Sequence, residues 1–137
     1  MDTQVKTEKL LRKSFLSPDE VRSLGNGELE QIRLGRHTFS RLALQPGWRW
    51  SRDVKPTVNV DSCQARHAQY VISGRLMIQM DDGTRTELVG GDAAVIPPGH
   101  DAWVVGDEPV SIIDFAGEMR DYARTELELT APVDLDC

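Results

Sequence analysis

Apolar and polar residues alternate with a period of two along much of the chain from Leu29 onward. Leu76, Ile78 and Met80, for example, occupy one face of the segment that precedes the turn at residues 81–83. Such alternation is typical of half-buried β-strands, and a glycine such as Gly35 between two alternating segments predicts a bend between paired strands. The pattern therefore predicts strands, joined by short turns, over most of the sequence.

Turn-forming sequences separate the apolar segments of the second half at intervals of about eight to twelve residues. They are Ser73-Gly74, Asp81-Asp82-Gly83, Gly90-Gly91, Pro97-Pro98-Gly99 and Gly106-Asp107-Glu108-Pro109. No helical pattern lies between them, and such spacing predicts an all-β antiparallel sandwich or small barrel.

The N-terminal part of the chain has a different pattern. Ser17 occupies an N-cap position, Pro18 the first helical position and Glu20 the third, which predicts one or two helical turns over residues 17–24. Residues 45–62 contain two prolines, a glycine and two tryptophans without periodicity, which predicts a long surface loop. The predicted organisation has three parts: an N-terminal arm with a short helical turn (1–28), a β-barrel (29–117), and a C-terminal tail (118–137) whose pattern fits either a helix or a strand.

The length, charge and cysteine content of the chain exclude several classes of function. The chain has 137 residues, a formal net charge of -6 and a pI near 5.0. One domain of this size folds without disulfides, and its acidity argues against binding nucleic acid or an anionic membrane. Cys63 and Cys137 are interpreted as reduced thiols, and the N-terminus lacks the apolar run of a signal peptide or membrane anchor. We therefore expect a cytoplasmic protein.

The glycines and prolines of the second half follow a recognisable order. Gly91 is followed after five residues by Pro97, Pro98 and Gly99, and Gly74 stands seven residues after His67. This order resembles the cupin superfamily, whose two motifs are G-x5-H-x-H-x3,4-E-x6-G and G-x5-P-x-G-x2-H-x3-N. The resemblance covers about residues 29–117 and implies a single-domain cupin jelly-roll β-barrel with a ligand site between its sheets.

The usual cupin metal ligands are replaced in this chain. The positions of the first motif's histidine pair fall on Asp61 and Cys63, its glutamate position falls on His67, and the second motif's histidine position falls on Ala102. His100 lies two residues before Ala102 and hence on the same face of an extended strand.

The resemblance thus implies Cys63, His67 and His100 as metal ligands. Thiolate and imidazole donors suit a divalent transition metal such as Zn, Fe, Cu or Ni. Each residue also has a structural interpretation that the sequence leaves open: Cys63 as a small buried apolar residue, His67 as a hydrogen-bonded barrel residue, and His100 as part of an exposed turn.

Five further residues are predicted to contact a substrate. Three tryptophans near one rim would form an apolar mouth for a flat or aromatic molecule, with a tyrosine hydroxyl and an amide supplying polar contacts. The alternative interpretation places the tryptophans in the core or a dimer interface. The predicted substrate-binding residues are Tyr70, Trp48, Trp50, Trp103 and Gln64.

Two function hypotheses follow. The first is a small metal-binding cupin that binds or acts on a small, aromatic or apolar molecule, as an oxygenase, isomerase or lyase if it is an enzyme. The alternative is a metal-free small-molecule binding or sensor module without catalysis. The resemblance also implies a homodimer that pairs through edge strands. Metal content distinguishes the two hypotheses.

Overall fold

The computed structural model describes residues 8–117, which form two antiparallel β-sheets and one short helix. The predicted C-terminal tail lies outside the described residues. The elements are β1 (Glu20–Ser23), β2 (Gly27–Leu34), β3 (His37–Leu44), α1 (Trp50–Asp53), a 3-10 turn (Lys55–Thr57), β4 (His67–Ser73), β5 (Arg75–Met80), β6 (Arg85–Val89), β7 (Ala93–Ile96), β8 (His100–Val104) and β9 (Val110–Asp114).

The strands form a six-stranded sheet in the order β1-β2-β3-β9-β4-β7 and a three-stranded sheet in the order β6-β5-β8. Every strand pair is antiparallel. The predicted all-β class is confirmed. The turn at Gly35 and the hairpin turn at residues 81–83 join the strands that the alternation predicts.

The core lies between the two sheets and is built by the inward-facing residue of each alternating pair. Leu42 of β3 and Ile112 of β9 come from the large sheet, while Leu76 and Ile78 of β5 come from the small one. In β8, His100, Ala102 and Val104 are buried and the residues between them are half-buried. The same alternation that builds the core therefore directs a histidine into it.

The helix predicted over residues 17–24 is wrong, since Glu20–Ser23 is strand β1. Its residues pair with β2, with Glu20 opposite Gln31, and the Asp19 carboxylate accepts a hydrogen bond from the backbone N–H of Arg33. Pairing with a neighbouring strand here outweighs the local capping signal. The large sheet consequently begins before the predicted barrel boundary at residue 29.

The segment predicted as a long surface loop folds partly into the core. It contains α1 and the 3-10 turn, and Trp48, Trp50 and Val54 within it are buried. Trp48 donates its indole N–H to the backbone carbonyl of Leu24 at 2.8 Å. Trp48 and Trp50 thus belong to the hydrophobic core. Among residues 8–117, no helix combines the length and apolarity that crossing a membrane requires.

Candidate metal centre

Cys63 and His100 are brought together by backbone hydrogen bonds between the segment before β4 and the start of β8. The Cys63 N–H donates to the His100 carbonyl at 2.8 Å, and the Gly99 N–H donates to the Cys63 carbonyl at 2.7 Å. Gly99 has a φ of +92°, which glycine adopts without the strain of other residues. The proline-glycine turn therefore ends β7 and places His100 beside Cys63.

His67 completes a cluster of three buried donor side chains. It is the first residue of β4, and its Nε2 lies 3.7 Å from the Cys63 Sγ. The His67 and His100 ring centroids are 5.1 Å apart. One donor atom from each of the three residues lies within 4.8 Å of the others. This buried Cys/His/His group could hold a metal ion.

Hydrogen bonds fix which imidazole nitrogen carries the proton in each of the two histidines. His67 donates its Nδ1–H to Asp114 Oδ2 at 2.8 Å, and His100 donates its Nδ1–H to the Pro97 carbonyl at 2.9 Å. An imidazole whose Nδ1 carries the proton keeps a lone pair on Nε2. Both rings are thus held in the tautomer that can bind a metal through Nε2.

The separation of the Cys63 and His67 donor atoms fits a small tetrahedral ion. With a metal–sulfur distance of about 2.3 Å and a metal–nitrogen distance of about 2.1 Å, tetrahedral geometry separates the two donor atoms by about 3.6 Å. The Cys63 Sγ to His67 Nε2 distance of 3.7 Å matches this value. The two side chains can therefore bind one ion without rearrangement of the backbone.

Burial sets the protonation of Cys63 and His100 at neutral pH. Burial raises the pKa of the Cys63 thiol to about 12, with the Asp114 carboxylate as a further raising influence. Burial, followed by the nearby His67 ring, lowers the pKa of His100 to about 4. His100 is thus a neutral donor at pH 7, whereas a metal must displace the proton of Cys63.

Asp114 of β9 holds His67 in place through hydrogen bonds to its carboxylate. Its side chain is fully buried. Besides the His67 ring, its carboxylate accepts hydrogen bonds from Gln69 Nε2 at 3.1 Å and from the Ala116 backbone N–H at 2.8 Å. A carboxylate behind a metal-binding histidine orients the ring and strengthens it as a donor.

Sequence reasoning missed both Asp114 and Gln69. The signal for Gln69 is its position two residues after His67, which places both on the inward face of β4. The signal for Asp114 is a single acidic residue at the end of strand β9, in which Val110, Ile112 and Ile113 are apolar.

A small cavity of about 20 Å³ adjoins the two histidines. That volume accommodates about one water molecule. Its polar lining comes from His67, Gln69 and His100, and the other lining residues are aliphatic side chains and tryptophans.

The predicted substrate-binding residues divide between the interior and the surface. Trp48 and Trp50 are buried and line the cavity. Tyr70, three residues after His67, points to the opposite face of β4 and is 44% exposed, because strand side chains alternate. Trp103 and Gln64 also lie outside the cavity lining.

Trp103 and Gln64 instead make local contacts. The Arg49 guanidinium lies 4.1 Å from the Trp103 ring centroid and that of Arg85 lies 5.2 Å from it. The exposed Gln64 side chain donates a hydrogen bond to the Ser62 carbonyl at 3.2 Å.

Comparison with known proteins identifies the fold. No protein-family model and no curated protein matches the sequence. Among solved structures, the chain is similar to a protein of unknown function (DUF1255) from Acidithiobacillus ferrooxidans, with 22% identity, a TM-score of 0.53, and coverage of 72% of this chain and 88% of that chain.

Two further solved structures carry descriptions of their fold. A conserved protein with a double-stranded β-helix domain from Klebsiella pneumoniae has 22% identity, a TM-score of 0.50, and coverage of 77% of this chain and 88% of that one. A cupin-like protein from Thermotoga maritima has 18% identity, a TM-score of 0.50, and coverage of 83% and 84%. The fold implied by the glycine and proline motifs is confirmed.

Proposed function

We propose that this chain, which has a cupin-type fold, binds one divalent transition-metal ion between Cys63, His67 and His100. The observation that carries the proposal is the convergence of three buried donor side chains, with both histidines held in the tautomer that keeps a lone pair on Nε2.

The donor chemistry selects the class of metal. A thiolate and two imidazoles favour Zn, Fe, Cu or Ni, whereas Mg and Ca prefer oxygen donors. The negative charge of a Cys63 thiolate and of Asp114 behind His67 would balance the two positive charges of the ion. A single domain of this size does not need a metal to fold, so the ion would serve function.

A three-residue site leaves one coordination position to be filled. A metal bound here would supply Lewis-acid or redox chemistry if that position accepts a substrate. The oxygenase, isomerase and lyase activities that the cupin resemblance implies all require this coordination position to be open to a substrate.

The metal-free alternative, a module that binds an organic molecule inside the barrel, has less support. Pockets for organic ligands have volumes of about 300–1,000 Å³. The cavity beside the histidines measures about 20 Å³, and two of the three tryptophans predicted to form an apolar mouth, Trp48 and Trp50, are packed into the core. These dimensions fit a single ion or water molecule better than an organic ligand.

Metal content tests the proposal directly. The protein is purified without a histidine tag, supplied in turn with Zn, Fe, Cu and Ni, dialysed, and analysed by elemental mass spectrometry. We expect about one ion per chain, lost in His67→Ala and in His100→Ala. His37→Ala is the matched control, because His37 is exposed at the start of β3 and should leave the metal content unchanged. Wild-type protein that retains none of these metals would overturn the proposal.

A further inference from the structure

The side chain of Gln69 has an unusual environment beside the candidate metal centre. It is only 6% exposed, and its Nε2 donates to Asp114 Oδ2 at 3.1 Å. Its Oε1 is buried and has no hydrogen-bond partner among the described residues. An unsatisfied buried amide oxygen is costly, so a partner beyond the described residues is expected.

The hydrogen bond to Asp114 fixes the orientation of the Gln69 amide. A carboxylate accepts hydrogen bonds, so the amide nitrogen must face Asp114 and the oxygen must point away from it. The same Asp114 oxygen accepts the Nδ1–H of His67. One carboxylate oxygen therefore anchors His67 and Gln69 together, and both side chains line the cavity beside His100.

The size and lining of this cavity limit what could contact the Gln69 oxygen. With about 20 Å³, it has room for about one ion or one water molecule, but not for an ion that carries a further ligand. Its polar lining residues are His67, Gln69 and His100. The two histidines are proposed metal ligands, whereas Cys63 does not line the cavity, so the ion would lie where the cavity meets the cluster. An ion held by the histidines is thus the occupant best placed to meet the amide oxygen.

We propose that Gln69 Oε1 is the fourth ligand of the metal, which closes the site as a Cys/His/His/Gln set. This inference rests on the metal binding proposed above. Two imidazoles, a thiolate and a weaker amide oxygen are a donor combination that transition-metal sites use. Because catalytic metal sites keep an open position and closed sites do not, a fourth protein ligand assigns the ion an electron-transfer role instead of substrate activation.

The test is the access of an added anion to bound Co²⁺, whose visible absorption spectrum reports its coordination. Wild-type protein is loaded with Co²⁺ and titrated with azide. We expect the spectrum to stay unchanged, because no coordination position is open. In Gln69→Ala the lost ligand opens a position, and azide should shift the spectrum at concentrations at least tenfold below any that affect the wild type. Gln31→Ala is the matched control, because Gln31 is a buried glutamine of β2 that donates to Ser40 and does not line the cavity.

The outcomes separate this inference from the proposal of metal binding. Wild-type protein that binds Co²⁺ and responds to azide like Gln69→Ala overturns the fourth ligand and leaves metal binding intact. Wild-type protein that takes up no Co²⁺ overturns both.

A crystal structure of the Co²⁺-loaded wild type provides the second measurement, which does not depend on the folding of a variant. A distance of about 2.0–2.2 Å from Gln69 Oε1 to the metal supports ligation. A water molecule between them contradicts it.

Discussion

At the scale of single residues, Asp114 decides whether His67 presents a lone pair to the cluster. Its carboxylate can only accept, so it keeps the proton of His67 on Nδ1. An asparagine at this position can turn its amino group toward the ring, which favours the opposite tautomer with the proton on Nε2.

We expect Asp114→Asn to weaken metal binding about 10- to 100-fold, as loss of a carboxylate behind a metal-binding histidine usually does. The measurement is a competition titration against a chromophoric chelator. Asp19→Asn is the control, since Asp19 bonds to Lys13 and to the Arg33 backbone at the edge of the large sheet. Equal metal affinity in the two variants would contradict the orienting role of Asp114.

His100 should also make the stability of the metal-free protein depend on pH. Burial, and secondarily the His67 ring, lowers the pKa of His100 from 6.5 to about 4. As the pH falls below 6.5, His100 becomes protonated in the unfolded chain. In the folded chain it stays neutral until the pH approaches about 4. The stabilisation from neutral His100 is therefore complete above pH 6.5 and is lost between pH 6.5 and about 4.

At about 1.4 kcal/mol per pKa unit, this loss amounts to about 3 kcal/mol at most. Urea denaturation of chelator-treated protein across this range measures it. We expect the free energy of unfolding of His100→Gln to vary less with pH than that of the wild type. In His37→Gln the pH dependence should be the same as in the wild type. The same slope in the wild type and in His100→Gln would show that His100 titrates normally.

At the scale of elements, Gly74 allows β4 to turn into β5 against the start of β9. It has a φ of +89°, and an added Cβ would clash with the Pro109 carbonyl oxygen and lie 2.7 Å from the Val110 Cα. Both neighbours are backbone atoms, so relieving the clash would require a shift of the backbone at the start of β9. This contact explains physically why a glycine stands at the end of the first motif.

We expect Gly74→Ala to destabilise the protein at least twice as much as Gly83→Ala. Gly83 has a similar φ of +91° but no atom within 4 Å of an added Cβ, so its replacement costs only the backbone strain of about 1–2 kcal/mol. Thermal and urea denaturation of the two variants give the comparison. Similar losses would mean that the clash at Gly74 is relieved by a small backbone shift.

The elements that could be predicted from the sequence are those whose signals are local. The hairpin from β5 to β6 follows from alternation and the turn glycine, and β8 follows from the proline-glycine turn before it. Strand β1 was not predictable in this way, because its conformation depends on pairing with β2 and its own residues carry a helix-capping signal. Where a neighbouring strand provides backbone hydrogen bonds, that pairing outweighs the intrinsic conformational preference of the residues.

At the scale of the whole molecule, the same distinction applies to the candidate site. Cys63, His67 and His100 could be proposed together because the cupin motifs relate positions far apart in the sequence. Asp114 and Gln69 could not, since their roles depend on which strands are neighbours: β9 lies beside β4 in the large sheet. The homodimer and the cytoplasmic location stay predictions.

The whole molecule should remain folded without its metal. The two sheets share one apolar core, and a chain of this length buries roughly two thirds of its unfolded surface. We expect chelation to lower the Tm by several degrees, because a bound ion stabilises only the folded state, while the β-sheet circular dichroism spectrum at 25 °C stays unchanged. Complete unfolding on chelation would instead assign the metal a role in holding the fold.

Anomalous diffraction at the absorption edge of the bound metal tests the central claim most directly, because it locates the ion without assuming its ligands. The account predicts one anomalous peak per chain, about 2.3 Å from Cys63 Sγ and about 2.1 Å from Nε2 of His67 and of His100. A metal-loaded crystal with no peak between these three atoms, or with its only peak elsewhere on the protein, would contradict it.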